Sequence, residues 1–194
     1  MKESSRTRIR RHPEREQSRA AAEAIFAEGL IAHVAIVQQG LPVVLPFTYH
    51  YDGGRIYLHG SSDAGTLRAL RKGAPVCVEV TLADALIASR TAENHSINYR
   101  TAVCFGTARL ISGRERKRAV LEAMIGRYFP GRTAGLDYSD ITTPELKQTA
   151  LFEVEVEAMS AKARSGGPNG ATDYDPTAPG SAGIVPLASG SRSV

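Results

Sequence analysis

No apolar run in the chain approaches the ~18–20 residues that a membrane-spanning helix needs. The Arg-rich N-terminus lacks the apolar core of a secretory signal. Cysteine is scarce: Cys77 and Cys104 stand far apart, each in an apolar, strand-like run. That spacing excludes a disulfide framework and predicts two buried, reduced thiols in a cytoplasmic protein. The five histidines (His12, His33, His50, His59, His95) show no paired ligand spacing and no neighbouring Cys or carboxylate cluster, which disfavours a metal centre. No Ser–His–Asp or Cys–His arrangement emerges from spacing, so hydrolysis has little support. The absence of G-x-G-x-x-G argues against a doubly wound dinucleotide fold. Net charge, too, is missing from the body. Residues 1–19 carry seven Lys or Arg against three Glu, leaving 17 basic and 17 acidic residues beyond them. A nucleic-acid-binding body would carry a basic face, so only the arm is a candidate for phosphate contact, and the balance argues against nucleic acid as a partner.

What is present centres on Val43–Leu70. Val43 to Tyr51 is rich in β-branched and aromatic residues, Asp52-Gly53-Gly54 supplies a turn, and Arg55 to His59 alternates as a returning strand. That strand runs into Gly60-Ser61-Ser62-Asp63-Ala64-Gly65-Thr66, followed by a short helical pattern, Leu67 to Lys72, closed by Gly73 and Pro75. A small, hydroxyl-rich loop at a helix start exposes unpaired N–H groups that favour an anion, most often phosphate. Gly60 and Gly65 have the spacing of a triphosphatase loop, but Thr66 replaces its lysine and removes that reading. An ordinary strand-to-helix connection capped by Ser62 or Asp63 fits the same residues.

Elsewhere, Ala22, Ile25 and Phe26 fall at helical spacing before Gly29, and Leu30 to Val37 has strand character. Val76 to Leu82 alternates, Ala83-Asp84-Ala85 breaks the run, and Leu86 to Arg90 resumes it. Gly106 inside the long strand Tyr99 to Leu110 predicts a bulge. An amphipathic helix spans Arg114 to Phe129, a shorter one starts at Thr143-Pro144-Glu145, and Leu151 to Val156 is the last strong strand. The final 30 residues contain 19 Gly, Pro, Ser or Ala and predict a mostly mobile tail, with Gly183 to Leu187 a small apolar patch able to dock. The organisation expected is a basic arm over 1–19, one mainly β domain over 20–164, and a tail over 165–194. Short turns between strands favour an antiparallel barrel with helical decorations.

RTRIRRHP (6–13), GLIAHV (29–34), IYLHG (56–60), VCVEVT (76–81), HSINYRTAVCFGTAR (95–109) and SAKARSGGP (160–168) occur in this order. With them the chain resembles the FMN-binding split-barrel family that includes pyridoxamine 5′-phosphate oxidase. It looks most similar to the small flavin-nucleotide-binding proteins of bacteria. The resemblance implies a six-stranded antiparallel split β-barrel that dimerises with itself and holds FMN, or alternatively FAD, between subunits. Pro46, Phe47 and Thr48 would lie along the isoalloxazine. Tyr57, His59, Gly60, Ser61 and the helix start at Thr66, Leu67 and Arg68 would line the ribityl and phosphate region. Asn98, Tyr99 and Arg100 would flank the groove, with Lys162 and Arg164 reaching ring or substrate.

Relatives usually place a basic residue where this chain has Ala64-Gly65, so another cation must meet the phosphate. Arg100 is the first choice and Arg68 the second. The function implied is a flavin-dependent oxidoreductase acting on a small organic substrate. The rival is a non-catalytic flavin carrier or nucleotide sensor. Some split barrels bind haem, and for that weaker alternative His95 is the histidine considered.

Overall fold

The computed structural model describes residues 6–71 and 73–187. Lys72, the first five residues and everything past Leu187 lie outside the described residues, as does the side chain of Thr66. The chain runs β1 (Glu16–Gln17), α1 (Arg19–Glu28), β2 (Ala32–Gln38), β3 (Leu41–Phe47), β4 (Tyr49–Tyr51), β5 (Arg55–Ser61) and α2 (Gly65–Leu70). It continues through β6 (Pro75–Ala88), β7 (Ser96–Leu110), α3 (Arg114–Tyr128), α4 (Thr143–Gln148), β8 (Thr149–Arg164) and β9 (Gly183–Pro186). All strand pairs are antiparallel, in the order β3-β2-β6-β7-β8-β5-β4, with β1 added to β8 and β9 to β6.

The two ends of that path, β3 and β4, are consecutive in sequence and separated only by Thr48. The sheet is therefore curled on itself, and the stretch expected to be one strand, Val43 to Tyr51, is divided between its two edges. β3 pairs with β2, and β4 with β5. This division turns the expected six strands into seven along the path, an antiparallel split barrel with few helices. The predicted bulge is present, and the predicted break is milder than expected. The Phe105/Gly106 step is a bulge between β7 and β8. There a Cβ on Gly106 would lie 2.8 Å from Val154 Cγ1 and closer still to the Glu155 carbonyl oxygen, so no larger residue fits. Ala83–Ala85 is an irregularity within β6 rather than its end.

The barrel interior is apolar: Val34, Ile56, Leu58, Val78, Val80, Cys104, Phe152 and Val154 are buried, and α1 plugs one end with Ala22, Ile25 and Phe26. Ser18 caps α1, its Oγ accepting from the Ala21 N–H. Burial drives the Cys104 thiol pKa up to about 12, so it stays protonated.

The tail is better anchored than its composition predicts. β9 pairs with Leu86 and its neighbours on β6. Asp173 is buried and accepts from the Ser89 hydroxyl at 2.8 Å, the Arg90 N–H at 2.7 Å and the Gly170 N–H at 2.6 Å. Arg90 in turn donates to the carbonyl oxygens of Ala178 and Gly180. The basic arm likewise ends in the sheet, with Glu16 opposite Lys162.

Candidate functional site

β5 and β8 carry the site loop. His59 lies opposite Leu151, Gly60 opposite Ala150, and Ser61 opposite Thr149. A Cβ at Gly60 would meet Leu67 Cδ1 at 2.7 Å, so a larger residue there would have to displace that buried side chain. The loop beyond is held from both sides: the Ser62 N–H donates to the Gln148 carbonyl at 2.8 Å, and Ser61 Oγ accepts from the Asp63 N–H at 3.3 Å. Ala64, not Ser62 or Asp63, occupies the cap position of α2 and offers no side-chain cap.

Cations surround this loop, though the sequence motif has none. Arg71 donates to the Ser62 carbonyl at 3.2 Å. The Arg68 Nη2 lies over Gly65, 3.7 Å from where a Cβ would stand, and among the described residues no carboxylate pairs with Arg68. From α3, Lys117 donates to the carbonyls of Leu146 and Thr149, both at 2.5 Å. Burial, and then the charge of Arg71, lowers the Lys117 pKa. Crowded cations with their backs to backbone carbonyls are what an anion would neutralise.

Beside the loop is a cavity of about 550 Å³ lined by Thr48, His59, Leu121, Met124, Ile125, Tyr128, Phe129, Tyr138, Ser139, Ile141, Glu145 and Thr149. Its size falls in the range of small-molecule and cofactor pockets. Helix α3 forms the main wall. It is fixed by Arg127, whose guanidinium lies 4.3 Å from the Tyr49 ring centroid and donates to the carbonyls of Phe26, Ala27 and Gly29 at the end of α1. The Tyr128 hydroxyl accepts from the Tyr49 N–H at 2.8 Å and donates to the Leu30 carbonyl at 2.7 Å. Thus Thr48, the residue that splits the first strand, faces the same space as His59. Among the described residues His59 makes no hydrogen bond, and its Nδ1 is shut off from solvent without a partner. Burial lowers its pKa and leaves the ring neutral at neutral pH.

The other sequence-predicted residues lie elsewhere. Pro46 and Phe47 end β3, opposite His33 and Ala32. Tyr57 is buried; its hydroxyl donates to Asp52 Oδ2 at 2.8 Å, and its ring stacks on His50. Asn98 is buried, donating to the Gly166 carbonyl at 2.9 Å and accepting from Arg164 at 2.6 Å. Tyr99 pairs with Arg164 across the β7–β8 ladder, and Lys162 lies opposite Thr101.

Arg100, the first choice as phosphate anchor, already has carboxylate partners within the subunit. It is paired with both Glu28 oxygens, at 2.5 and 2.9 Å, and with Asp84 at 2.8 Å. These bonds, Glu28 first, raise its pKa. Arg100 lies opposite Ala163 on β8 and Gly60 opposite Ala150. Thirteen residues of extended strand separate those partners, roughly 40 Å along β8. Within one subunit His59, Gly60 and Ser61 therefore group at one end of β8, and Asn98, Tyr99, Arg100, Lys162 and Arg164 at the other. His95 is in neither: it is exposed, with its Nδ1 3.3 Å from the Ala92 carbonyl oxygen. Sequence reasoning missed Arg71, Lys117 and the α3 wall. Only the apolar spacing of α3 hinted at the last.

Comparison with known proteins follows the same lines. The flavocytochrome Anf3 from Azotobacter vinelandii shares 29% identity over 97% of this chain and 86% of its own, with a TM-score of 0.85. An FAD and haem binding protein from Mycobacterium smegmatis is 36% identical over 89% of this chain and 84% of its own, with a TM-score of 0.80. An FAD-binding protein from Mesorhizobium loti, 14% identical over 78% of this chain and 98% of its own, shares the fold at a TM-score of 0.57. No curated protein matches the chain. The family model described as pyridoxamine 5′-phosphate oxidase matches residues 18–163, and the chain belongs to that family.

Proposed function

We propose that this chain is a flavin-nucleotide-binding oxidoreductase. The observation that carries the reading is the loop from Gly60 to Gly65 with Arg68, Arg71 and Lys117 around it. The start of α2 has no side-chain cap, and among the described residues no carboxylate pairs with these cations, which suits the phosphate of FMN or the pyrophosphate of FAD. The family membership and the flavin-binding relatives support the same cofactor class. A flavin supplies hydride and electron transfer to a small organic substrate, while the protein sets its orientation and surroundings. Arg68 and Arg71 neutralise the phosphate, and Thr48 and the end of β3 approach the groove that leads from it. A homodimer completes that groove. Val37 and Val44, on one face of the β2–β3 hairpin, are 71% and 58% exposed, an apolar surface that a second copy would cover. In such a dimer the Asn98–Arg164 group of one subunit can meet the loop of the other. Purified protein titrated with FMN and with FAD should quench flavin fluorescence at micromolar concentration and run as a dimer by light scattering. Absence of binding to both nucleotides refutes the proposal.

A specific observation favours a second redox group. The largely apolar cavity walled by α3 presents one imidazole without hydrogen bonds among the described residues, and two relatives above 25% identity are a flavocytochrome and an FAD and haem binding protein. A b-type haem beside the flavin would make the chain an electron-transfer flavoprotein. The apolar lining and the neutral imidazole fit that group.

A further inference from the structure

We propose that His59 is the axial ligand of a haem seated in the cavity between β5 and α3, an assignment that rests on the haem reading above. Several residues lining the cavity could in chemistry bind iron: His59, Met124, Tyr128, Tyr138 and Glu145. Tyr128 is committed to the backbone of Tyr49 and Leu30. Glu145 is committed to the capping box of α4, its Oε2 accepting from the Thr142 N–H at 2.8 Å and the Thr142 hydroxyl at 2.7 Å. Met124 is packed among Tyr57, Ile111 and Leu151 in its own apolar cluster. Tyr138 sits on the connection between α3 and α4 rather than on a rigid element.

Of the cavity-lining residues, His59 combines a strand position, a neutral ring and no partner among the described residues. Its Nδ1 is sealed from solvent, so Nε2 is the nitrogen that a molecule in the cavity meets, and its lone pair is free to coordinate. Its place on β5, paired with Leu151 of β8, holds the ring to one direction. Histidine ligands usually donate their second N–H to a carbonyl or carboxylate, which strengthens the bond to the metal. The buried Nδ1 of His59 has no such acceptor, so the assignment predicts a weak axial bond that exogenous imidazole can replace.

The experiment titrates the full chain with haemin and reads the Soret band and the low-temperature EPR spectrum, with FMN and FAD binding measured in parallel. Wild type is expected to form a complex. His59→Ala should bind haemin at least tenfold more weakly with a shifted Soret band, recover the wild-type spectrum in millimolar imidazole, and still bind flavin. His95→Ala should match wild type. His59→Met, which keeps side-chain bulk, guards against loss of fold and should change the spectrum by exchanging nitrogen for sulfur. If wild type forms no haemin complex, the haem reading fails and the assignment with it. If wild type binds but His59→Ala or His59→Met keeps the wild-type spectrum, the assignment is overturned while the haem reading stands. A loss of flavin binding with haemin binding intact also overturns it, and assigns His59 to the flavin instead.

Discussion

Two arginines compete for the role of phosphate anchor, and their surroundings make opposite predictions for the same substitution. Arg68 is exposed, hangs over Gly65 at the start of α2 and has no carboxylate partner among the described residues. A charge-assisted hydrogen bond to a phosphate contributes roughly 1.5–3 kcal/mol, so Arg68→Ala should weaken FMN binding by about ten- to a hundred-fold. Because the arginine has no structural partner, the melting temperature should stay within about 1 °C of wild type. Arg100 is the reverse case. Its guanidinium already donates to Glu28 and Asp84, and the three side chains are 38%, 51% and 36% exposed. Screening at that exposure keeps each pair small, and the network as a whole contributes about 1 kcal/mol. Arg100→Ala should therefore lower the melting temperature by roughly 2–4 °C and leave FMN affinity within about twofold. Fluorescence-quenching titrations at low and high salt, paired with thermal melts, separate the two. The Arg68 contribution should shrink as ionic strength rises, since the site is open to solvent. Flavin affinity unchanged in Arg68→Ala, or reduced tenfold in Arg100→Ala, would refute the reasoning from local pairing. The second result would place Arg100 at the flavin of a neighbouring subunit.

Three further outcomes follow from named contacts. Gly106→Ala must push its Cβ against the Glu155 carbonyl and Val154, so urea unfolding should show a loss of about 2 kcal/mol or more. Asp173→Asn removes the charge that holds Ser89, Arg90 and Gly170, and limited proteolysis should then cut within residues 165–182 where wild type resists. Burial lowers the pKa of His59, and burial followed by the charge of Arg127 lowers that of His50, both from 6.5. The unfolded chain then takes up these protons first, so urea midpoints should hold above pH 6.5 and fall as pH drops below it, with His59→Gln flattening the fall.

Much of the fold was legible because its signals are local. Gly29 ends α1, Gly106 marks the bulge, and Thr143-Pro144-Glu145 starts α4. The break at Thr48 was not. Val43 to Tyr51 has uninterrupted strand character, and only the choice of partners, β2 on one side and β5 on the other, divides it. The same limit hid the fate of Arg100. A charge within a strand marks a residue that needs a partner, but the partners are 72 and 16 residues away in sequence. Nothing local distinguishes an arginine awaiting a phosphate from one already paired with carboxylates.

The tail shows how composition misjudges order when few contacts decide it. Residues 165–187 bury little apolar surface, and Gly, Pro, Ser and Ala dominate them, which argues for disorder on average. Yet one carboxylate, Asp173, collects a hydroxyl and two backbone N–H groups in a site closed from water. Burial opposes its charge, but the Arg90 N–H, Ser89 and the Gly170 N–H outweigh that and hold its pKa below the usual value. Small residues are what make such a site, since a Cβ at Gly170 would meet Asp173 Oδ2 and Ser89 Oγ at 2.9 Å. The anchored segment then delivers β9 to the edge of β6, between Ala85 and Ala88, just past Asp84, the partner of Arg100. The Leu187 N–H closes the contact by donating to the Asp84 carbonyl at 2.9 Å. Tail, β6 and the Arg100 network are therefore linked at the end of the barrel opposite the Gly60–Gly65 loop. A second subunit bringing its own loop to that end would meet a surface already set in place.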